Sequence, residues 1–343
     1  MTVLDGARPF APPVATPGGL ARARFRAMGT DVDVLLPAGR EGAAAIVVSI
    51  FEAWERRCSR FDPQSELSRL NAAAGAPVIV SRPLFEAVSS ALEAAAATDG
   101  VFDPTVLRRL EALGYDRTFS DVVCADAGDA GDPTCHPWTG AWRQVRLDRA
   151  THAVEMPGGV GLDLGGIAKG MTVDAALAAL VDAGIDRAAV NAGGDLAVHG
   201  TPPDGVAWLI GVETCDGGLP VALAQGALAT SSVANRRWLR GGRILNHLID
   251  PRTGLPAATG LTSVTVSAGT CAQAEVAAKT TLLLGLEDGA AFLDRTGLSA
   301  LVVDAAGTHH RIGRWLEPGD AQRHVGTASL AHPAARIAAD PVA

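Results

Sequence analysis

Two glycine pairs, each placed after an apolar run, are the features best suited to handle an anionic ligand. The first lies in "GLDLGGIAKG", residues 161–170. Asp163 sits in an apolar, strand-like run, Gly165 and Gly166 follow it, and Lys169 opens a helix. Glycine lets backbone approach a ligand closely, a helix N-terminus offers free N–H groups, and a lysine adds a point charge. This combination suits a phosphate or pyrophosphate cradle; a tight strand-to-helix turn with a solvated lysine has the same pattern. The GxxxxGK spacing of a Walker loop is absent. The second pair is Gly193–Gly194 in "VNAGGDLAVHG", where Asp195 can cap the turn. A plain turn is the simpler reading of this stretch by itself, but two such turns can line one ligand.

Four other stretches carry candidate chemistry. In "LNHLIDPRTGLPA", residues 245–257, His247 precedes Asp250-Pro251 by three positions. It is either a general base or a structural histidine. In "GVFDPTV", Phe102 and Asp103 present a ring and an acceptor to a heterocycle, or form a turn into a helix, since Pro104 restricts the residue before it. In "ALATSSVANRRW", Thr230, Ser231 and Ser232 either hold phosphate oxygens or cap a helix. In "CAQAEVAAKTTLLLG", Glu275 and Lys279 sit four apart on one helix face. They are a surface ion pair or they face a site.

The elements that must position these residues are legible from local pattern. Val32, Val34 and Leu36 alternate as a half-buried strand. Ile46, Ile50 and Trp54 recur at helical spacing, and Arg56, Arg57 and Arg60 suit that helix's C-terminus. "SRPLFEAVSSALEAAAATDG" predicts a second helix, with Pro83 near its start and Gly100 past its end. Residues 168–184 predict a third, with Met171, Leu177, Leu180 and Val181 apolar and Gly184 at its end. Short strands are expected around Val190, Leu196–Val198, Trp208–Val212, Val221–Leu223 and "SVTVSA", and a terminal hairpin in "LSALVVDAAGTHHRIG". With no regular βαβ rhythm, the pattern favours α+β over a doubly wound sheet.

The chain has 343 residues, 48% hydrophobic, with a net charge of −8 from 29 basic and 37 acidic residues. It is long enough for a substantial core. It lacks the basic block of a nucleic-acid binder and the apolar run of a membrane span. Residues 1–22 read as a flexible Pro/Gly leader without an export pattern, 116–145 as a surface insertion, and 317–343 as a loose tail. Five cysteines, at 58, 124, 135, 215 and 271, show no metal-like pair and fit reduced thiols in a cytoplasmic protein, with Cys124–Cys135 as the one disulfide kept in view.

Taken in order, "MGTDVDVLL", "FDPQSELSRLN", "TDGVFDPTV", "LDLGGIAKGMTVD", "VNAGGDLAVHG", "ALATSS", "HLIDPRTGLP" and "AEVAAK…LLLG" resemble the flavin transferase (ApbE) family over roughly residues 25–300. The resemblance implies a two-lobed α+β, T-fold-related domain over 23–316, with FAD bound between the lobes. It implies an FAD:protein FMN transferase, which joins FMN to a Thr or Ser hydroxyl of a flavin-accepting protein and releases AMP. Other expectations are a pyrophosphatase giving FMN and AMP, and an FAD binder without transfer. By the same resemblance Met28, Phe61, Val101, Phe102, Asp103, Asp163, Lys169 and the backbone near Ile249 contact FAD, and His247 is the base. Gly166, Glu275 and Lys279 fall at the Mg²⁺ positions. There the family usually has Asp and Thr where this chain has Glu275 and Lys279. Lysine cannot ligate while protonated, so its ammonium is expected either to occupy the metal's place, paired with Glu275, or to mark the loss of transfer. A further departure lies in "TSSVANRRW", where many members carry glycine after the serine.

Overall fold

A chain that alternates strand-forming and helix-forming segments must bury the apolar stripe of each helix against a sheet. The computed structural model describes residues 11–16, 19–124, 140–202, 205, 207–214, 217–314 and 329–331. Nine strands form one antiparallel sheet: β1 (Ala11–Thr16), β2 (Leu20–Ala27), β3 (Thr30–Pro37), β4 (Ala188–Ala192), β5 (Asp195–His199), β6 (Gly226–Ser232), β7 (Leu261–Ala268), β8 (Ser299–Asp304) and β9 (His309–Ile312). Their order across the sheet is their order in the chain, and every neighbouring pair is antiparallel. The α+β expectation therefore holds.

Among the described residues, eight α-helices accompany the sheet: α1 (Ala44–Cys58), α2 (Glu66–Ala72), α3 (Arg82–Ala97), α4 (Leu107–Ala112), α5 (Phe119–Cys124), α6 (Ala168–Asp182), α7 (Cys271–Leu284) and α8 (Leu286–Thr296). Helices α1 and α6 pack on one face, sharing a core with Val32, Val34, Leu36, Val190 and Ala192. Helices α7 and α8 continue that layer over Val264, Val266, Ala300 and Val302. The opposite face is covered by a hairpin, Trp208–Thr214 with Gly217–Leu223. The segment between β3 and β4 carries α1–α6. Within it α2, α3 and a small sheet (Val78–Ile79, Arg146–Asp148, Ala153–Glu155) enclose a core of their own.

Several expectations change. Strand β3 is buried on both faces, not half-buried, because the sheet is covered on both sides: Leu35 faces the hairpin while Val34 faces the helices. Asp33 tolerates this position because Arg22 and Arg24 each reach it at 2.9 Å. Helix α1 turns Val47, Phe51 and Cys58 inward, and the expected Ile46, Ile50 and Trp54 lie half-buried beside them. Helix α6 buries small residues (Ala168, Gly170, Ala176) with Val173 and Leu180, leaving Val181 39% exposed. Residues 11–16, expected in a flexible leader, pair with β2, and 329–331, expected in a loose tail, pair in parallel with Leu209–Gly211 of the covering hairpin. In the expected 116–145 insertion, α5 and a short 3₁₀ turn, Ala141–Gln144, flank residues 125–139, which lie outside the described residues. So does the Cys124–Cys135 pairing. Cys58 and Cys271 are free and buried. Thr230, Ser231 and Ser232 cap no helix; they lie in β6, with the Thr230 and Thr265 hydroxyls 2.8 Å apart.

The contact between α6 and α7 brings Lys169 of the first helix to Glu275 of the second. A Cβ on Gly170 would lie 2.7 Å from the Cα and N of Ala272, so the two backbones meet where only glycine fits. One turn on, Asp174 of α6 accepts hydrogen bonds from the N–H groups of Cys271 (2.8 Å) and Ala272 (3.0 Å). Thr270 accepts from Gln273 N at 3.2 Å, so the first turn of α7 has its free donors satisfied. Asp174→Ala is expected to cost about 1–2 kcal/mol, read as a lowered urea midpoint with unchanged m-value.

Candidate active site

The segment 160–167 is expected to contain a strand, yet it has no ladder partner. A side chain replaces the ladder. Asn71, at the end of α2, donates Nδ2 to Leu162 O at 2.9 Å and accepts Leu162 N at 2.7 Å on Oδ1. Asp163 N then donates to Pro104 O at 2.8 Å. The Gly-rich turn is thereby held against the Val101–Pro104 loop. Within it Asp163 accepts Gly165 N at 2.6 Å, and helix α6 begins at Ala168.

Asp163 also receives Arg60 Nε at 2.9 Å. The Arg60 guanidinium is packed over the rings of Phe61 (4.1 Å) and Tyr115 (4.4 Å), and its Nη1 donates to Tyr115 O at 2.8 Å. Its Nη2 is buried with no hydrogen-bond partner. The sequence pattern makes Arg60 a helix-terminal charge, but α1 ends at Cys58 and Arg60 lies in the loop beyond it. The signal available in sequence is an arginine next to the candidate ring Phe61, outside the helical period.

Lys169 does not point into an open cradle. Its ammonium contacts Asp195 Oδ2, at the start of β5, and lies 2.6 Å from Glu275 Oε1 on α7. The second Glu275 oxygen accepts Gly170 N at 2.8 Å. Burial works against the Lys169 charge, but the two carboxylates, Asp195 first, outweigh it and raise its pKa. Burial pushes the Glu275 carboxyl up to about 7; Lys169 pulls it down and the like charge of Asp195 adds to the rise. These directions agree if the ammonium serves Asp195 before Glu275, as its closer contact indicates.

The expected Glu275–Lys279 ion pair is not formed, because Glu275 spends both oxygens on Lys169 and the Gly170 N–H. Lys279 instead reaches over Gly166: a Cβ there would lie 3.0 Å from its Cδ and Nζ and 3.1 Å from Phe102 Cε2. Its ammonium stands 5.3 Å from the Phe102 ring centroid. Burial lowers its pKa, opposed by the charges of Asp163, Glu275 and Asp103. Asp103 accepts the N–H and hydroxyl of Thr105 on Oδ1, while Oδ2 is buried and unpartnered. Burial raises its pKa against those bonds and the Lys279 charge.

His247 follows the hairpin Arg237–Arg240/Arg243–Asn246. Its loop is fastened to α7: Arg252 binds both Asp250 oxygens at 2.9 Å and donates to Leu283 O at 2.5 Å. Arg109 donates to Gly254 O in the same turn. His247 Nδ1 is buried and unpartnered. Burial, with Arg236, Lys279 and Lys169 nearby, holds the imidazole well below its usual pKa, so it is neutral at pH 7. Phe102 is buried at 1% exposure. Val101 packs toward the α7–α8 core, and Met28 takes a left-handed φ of 50° between two cores. Ile249 turns its side chain into the α4 core, and its backbone pairs with Pro256 in a short antiparallel ladder.

The donor set expected for Mg²⁺ does not fit a dication. It consists of one glycine, a carboxylate already committed to Lys169, and an ammonium. Mg²⁺ requires oxygen ligands in near-octahedral array. Among the described residues no group of three or more His, Cys, Asp or Glu side chains is placed to hold a metal ion.

The model of the ApbE family matches residues 28–302, which contain every candidate site residue described in this subsection. The chain belongs to the ApbE family. Relatives within it include the FAD:protein FMN transferase of Treponema pallidum (strain Nichols), 31% identical over 280 residues that cover 75% of each chain. That of Rhodobacter capsulatus is 33% identical over 275 residues, covering 76% of this chain and 50% of its own. Among solved structures, the ApbE protein of Thermotoga maritima msb8 superposes with a TM-score of 0.74 at 26% identity, over 85% of this chain and 97% of its own. The apo form of the Pseudomonas stutzeri flavinyl transferase ApbE gives 0.70 at 24% identity, over 88% and 96%, and bears on the ApbE fold alone. No helix among the described residues is long and apolar enough to cross a membrane.

Proposed function

We propose that this chain is an FAD:protein FMN transferase that moves FMN from FAD to a threonine or serine hydroxyl of an acceptor protein. The observation carrying this reading is that a half-buried, neutral His247 feels the charges of Lys279 and Lys169, while Lys279 itself lies over Gly166 at the end of the Asp163–Gly166 turn. These parts come from segments far apart in the chain and supply what phosphoryl transfer asks for: positioning, charge neutralisation and a proton acceptor.

Each bond change has a group to serve it. The acceptor hydroxyl oxygen bonds to the FMN phosphorus, the pyrophosphate P–O bond breaks, and AMP leaves with the bridging oxygen. His247 takes the hydroxyl proton. Met28, Phe61, Val101, Phe102, Asp103, Asp163 and the Ile249 backbone form the FAD contacts in this reading. Lys169 supports them by tying α6, β5 and α7 together. The catalytic unit is the nine-stranded sheet with its helices and the segment inserted between β3 and β4, and FAD lies between that segment and the sheet layer.

The test is incubation with FAD, with and without a purified flavin-accepting domain, followed by mass analysis. AMP release with FMN bonded to the domain is the expected result. Free FMN and AMP formed equally in both samples would replace the proposal with pyrophosphatase activity. FAD bound but intact in both would replace it with flavin binding.

A further inference from the structure

We infer that the Lys279 ammonium is the resident cation of this site, and that the chain handles the FAD pyrophosphate without a divalent metal. The inference rests on the FAD reading above and assigns the charge-neutralising group within it. Three observations carry it.

The first is space. The Lys279 stem and ammonium fill the volume above Gly166, against the Phe102 ring, at the position where a metal ion is expected. The second is the donor set. A metal there would have to take Glu275 from Lys169 and the Gly170 N–H, and would lie against an ammonium of like charge. The third is the division of labour between the two lysines. Lys169 is held by two carboxylates. The Lys279 ammonium, among the described residues, makes no hydrogen bond and no ion pair within 4.0 Å. A lysine carries three N–H donors, so those of Lys279 are free for phosphate oxygens. Gly166 has no side chain to block the approach.

During transfer the Lys279 ammonium keeps its protons and donates hydrogen bonds to non-bridging phosphate oxygens. The new acceptor O–P bond and the broken P–O bond to AMP are those already described, so no metal-bound species enters the balance.

The experiment uses the full chain, FAD, a purified flavin-accepting domain, EDTA and MgCl₂. FAD affinity is read by flavin fluorescence, AMP release by chromatography, and Mg²⁺ binding by calorimetry in the presence of FAD. The expected results are FAD affinity and AMP release that change less than about two-fold between EDTA and Mg²⁺, and no Mg²⁺ binding heat. Lys279→Met is expected to lose about 100-fold in AMP release. Lys279→Thr, which offers an oxygen in place of the ammonium, is expected to recover part of that loss only with Mg²⁺. Wild-type AMP release that is lost in EDTA and restored by Mg²⁺ would overturn the inference while leaving the FAD reading intact. That comparison needs no variant to fold. Absence of FAD binding in every condition would instead bring down the FAD reading, and the inference with it.

Discussion

His247→Gln is expected to lower AMP release in the presence of an acceptor by about 10²- to 10⁴-fold, the range for losing a positioned general base. FAD affinity is expected to change only a few-fold, because the imidazole acts on the acceptor's proton. The wild-type pH profile provides a second check. Burial and the neighbouring cations depress the His247 pKa, so the base form persists as pH falls through 6.5. Activity requires that form, and a depressed pKa shifts its loss to lower pH. The acid limb should therefore fall well below pH 6.5, and it should vanish in His247→Gln. A wild-type limb centred at or above 6.5 would contradict the assigned role.

The second large effect is on stability. Lys169→Met removes the cation shared by Asp195 and Glu275, both of which are buried, at 2% and 5% exposure. Two carboxylates would then face each other in a poorly solvated place. Removing one partner of a buried charge network costs about 3–5 kcal/mol. At fixed pH, the urea midpoint of Lys169→Met should fall accordingly. Adding Glu275→Gln should restore part of the loss, since it removes one of the two stranded charges. A double-mutant cycle measures the coupling. If the single and double variants were equally destabilised, the network would not be coupled as the contacts imply.

Local pattern is enough for elements whose signals lie within a few residues. Helix α3 carries Pro83 in its first turn and ends just before a glycine with a left-handed φ of 81°. The β8–β9 hairpin has a continuous apolar run, Ala300–Val303, ahead of a turn that contains Gly307. Helix α8 escapes such a reading, because only Gly289, Phe292 and Leu293 of its eleven residues are buried. With four charged residues and a glycine among its eleven, it resembles loop until the β7–β8 floor is in place. The inward face of α1 is ambiguous for a related reason. Ile46, Ile50 and Trp54 have the helical period, but so do Val47 and Phe51, and the ring of Phe25, 5.6 Å from Phe51, decides which set turns in.

The candidate site divides along the same line. Residue type and order determined the family resemblance, the glycine turns, His247 and the departure at Lys279, because each is a local composition. Partnership was decided only by the tertiary structure. Arg60 meets Asp163, Asn71 meets Leu162, Asp174 meets Cys271, and Lys169 meets Glu275. Each pair is about a hundred residues apart, and nothing in the spacing of either member announces the other. The i, i+4 spacing of Glu275 and Lys279 suggests a pair and is misleading. Helix geometry makes such contacts available, but Lys169 is buried beside Glu275 and claims the carboxylate first. What remains to Lys279 is an ammonium over Gly166 with its donors free, a consequence of packing that no stretch of the sequence contains by itself.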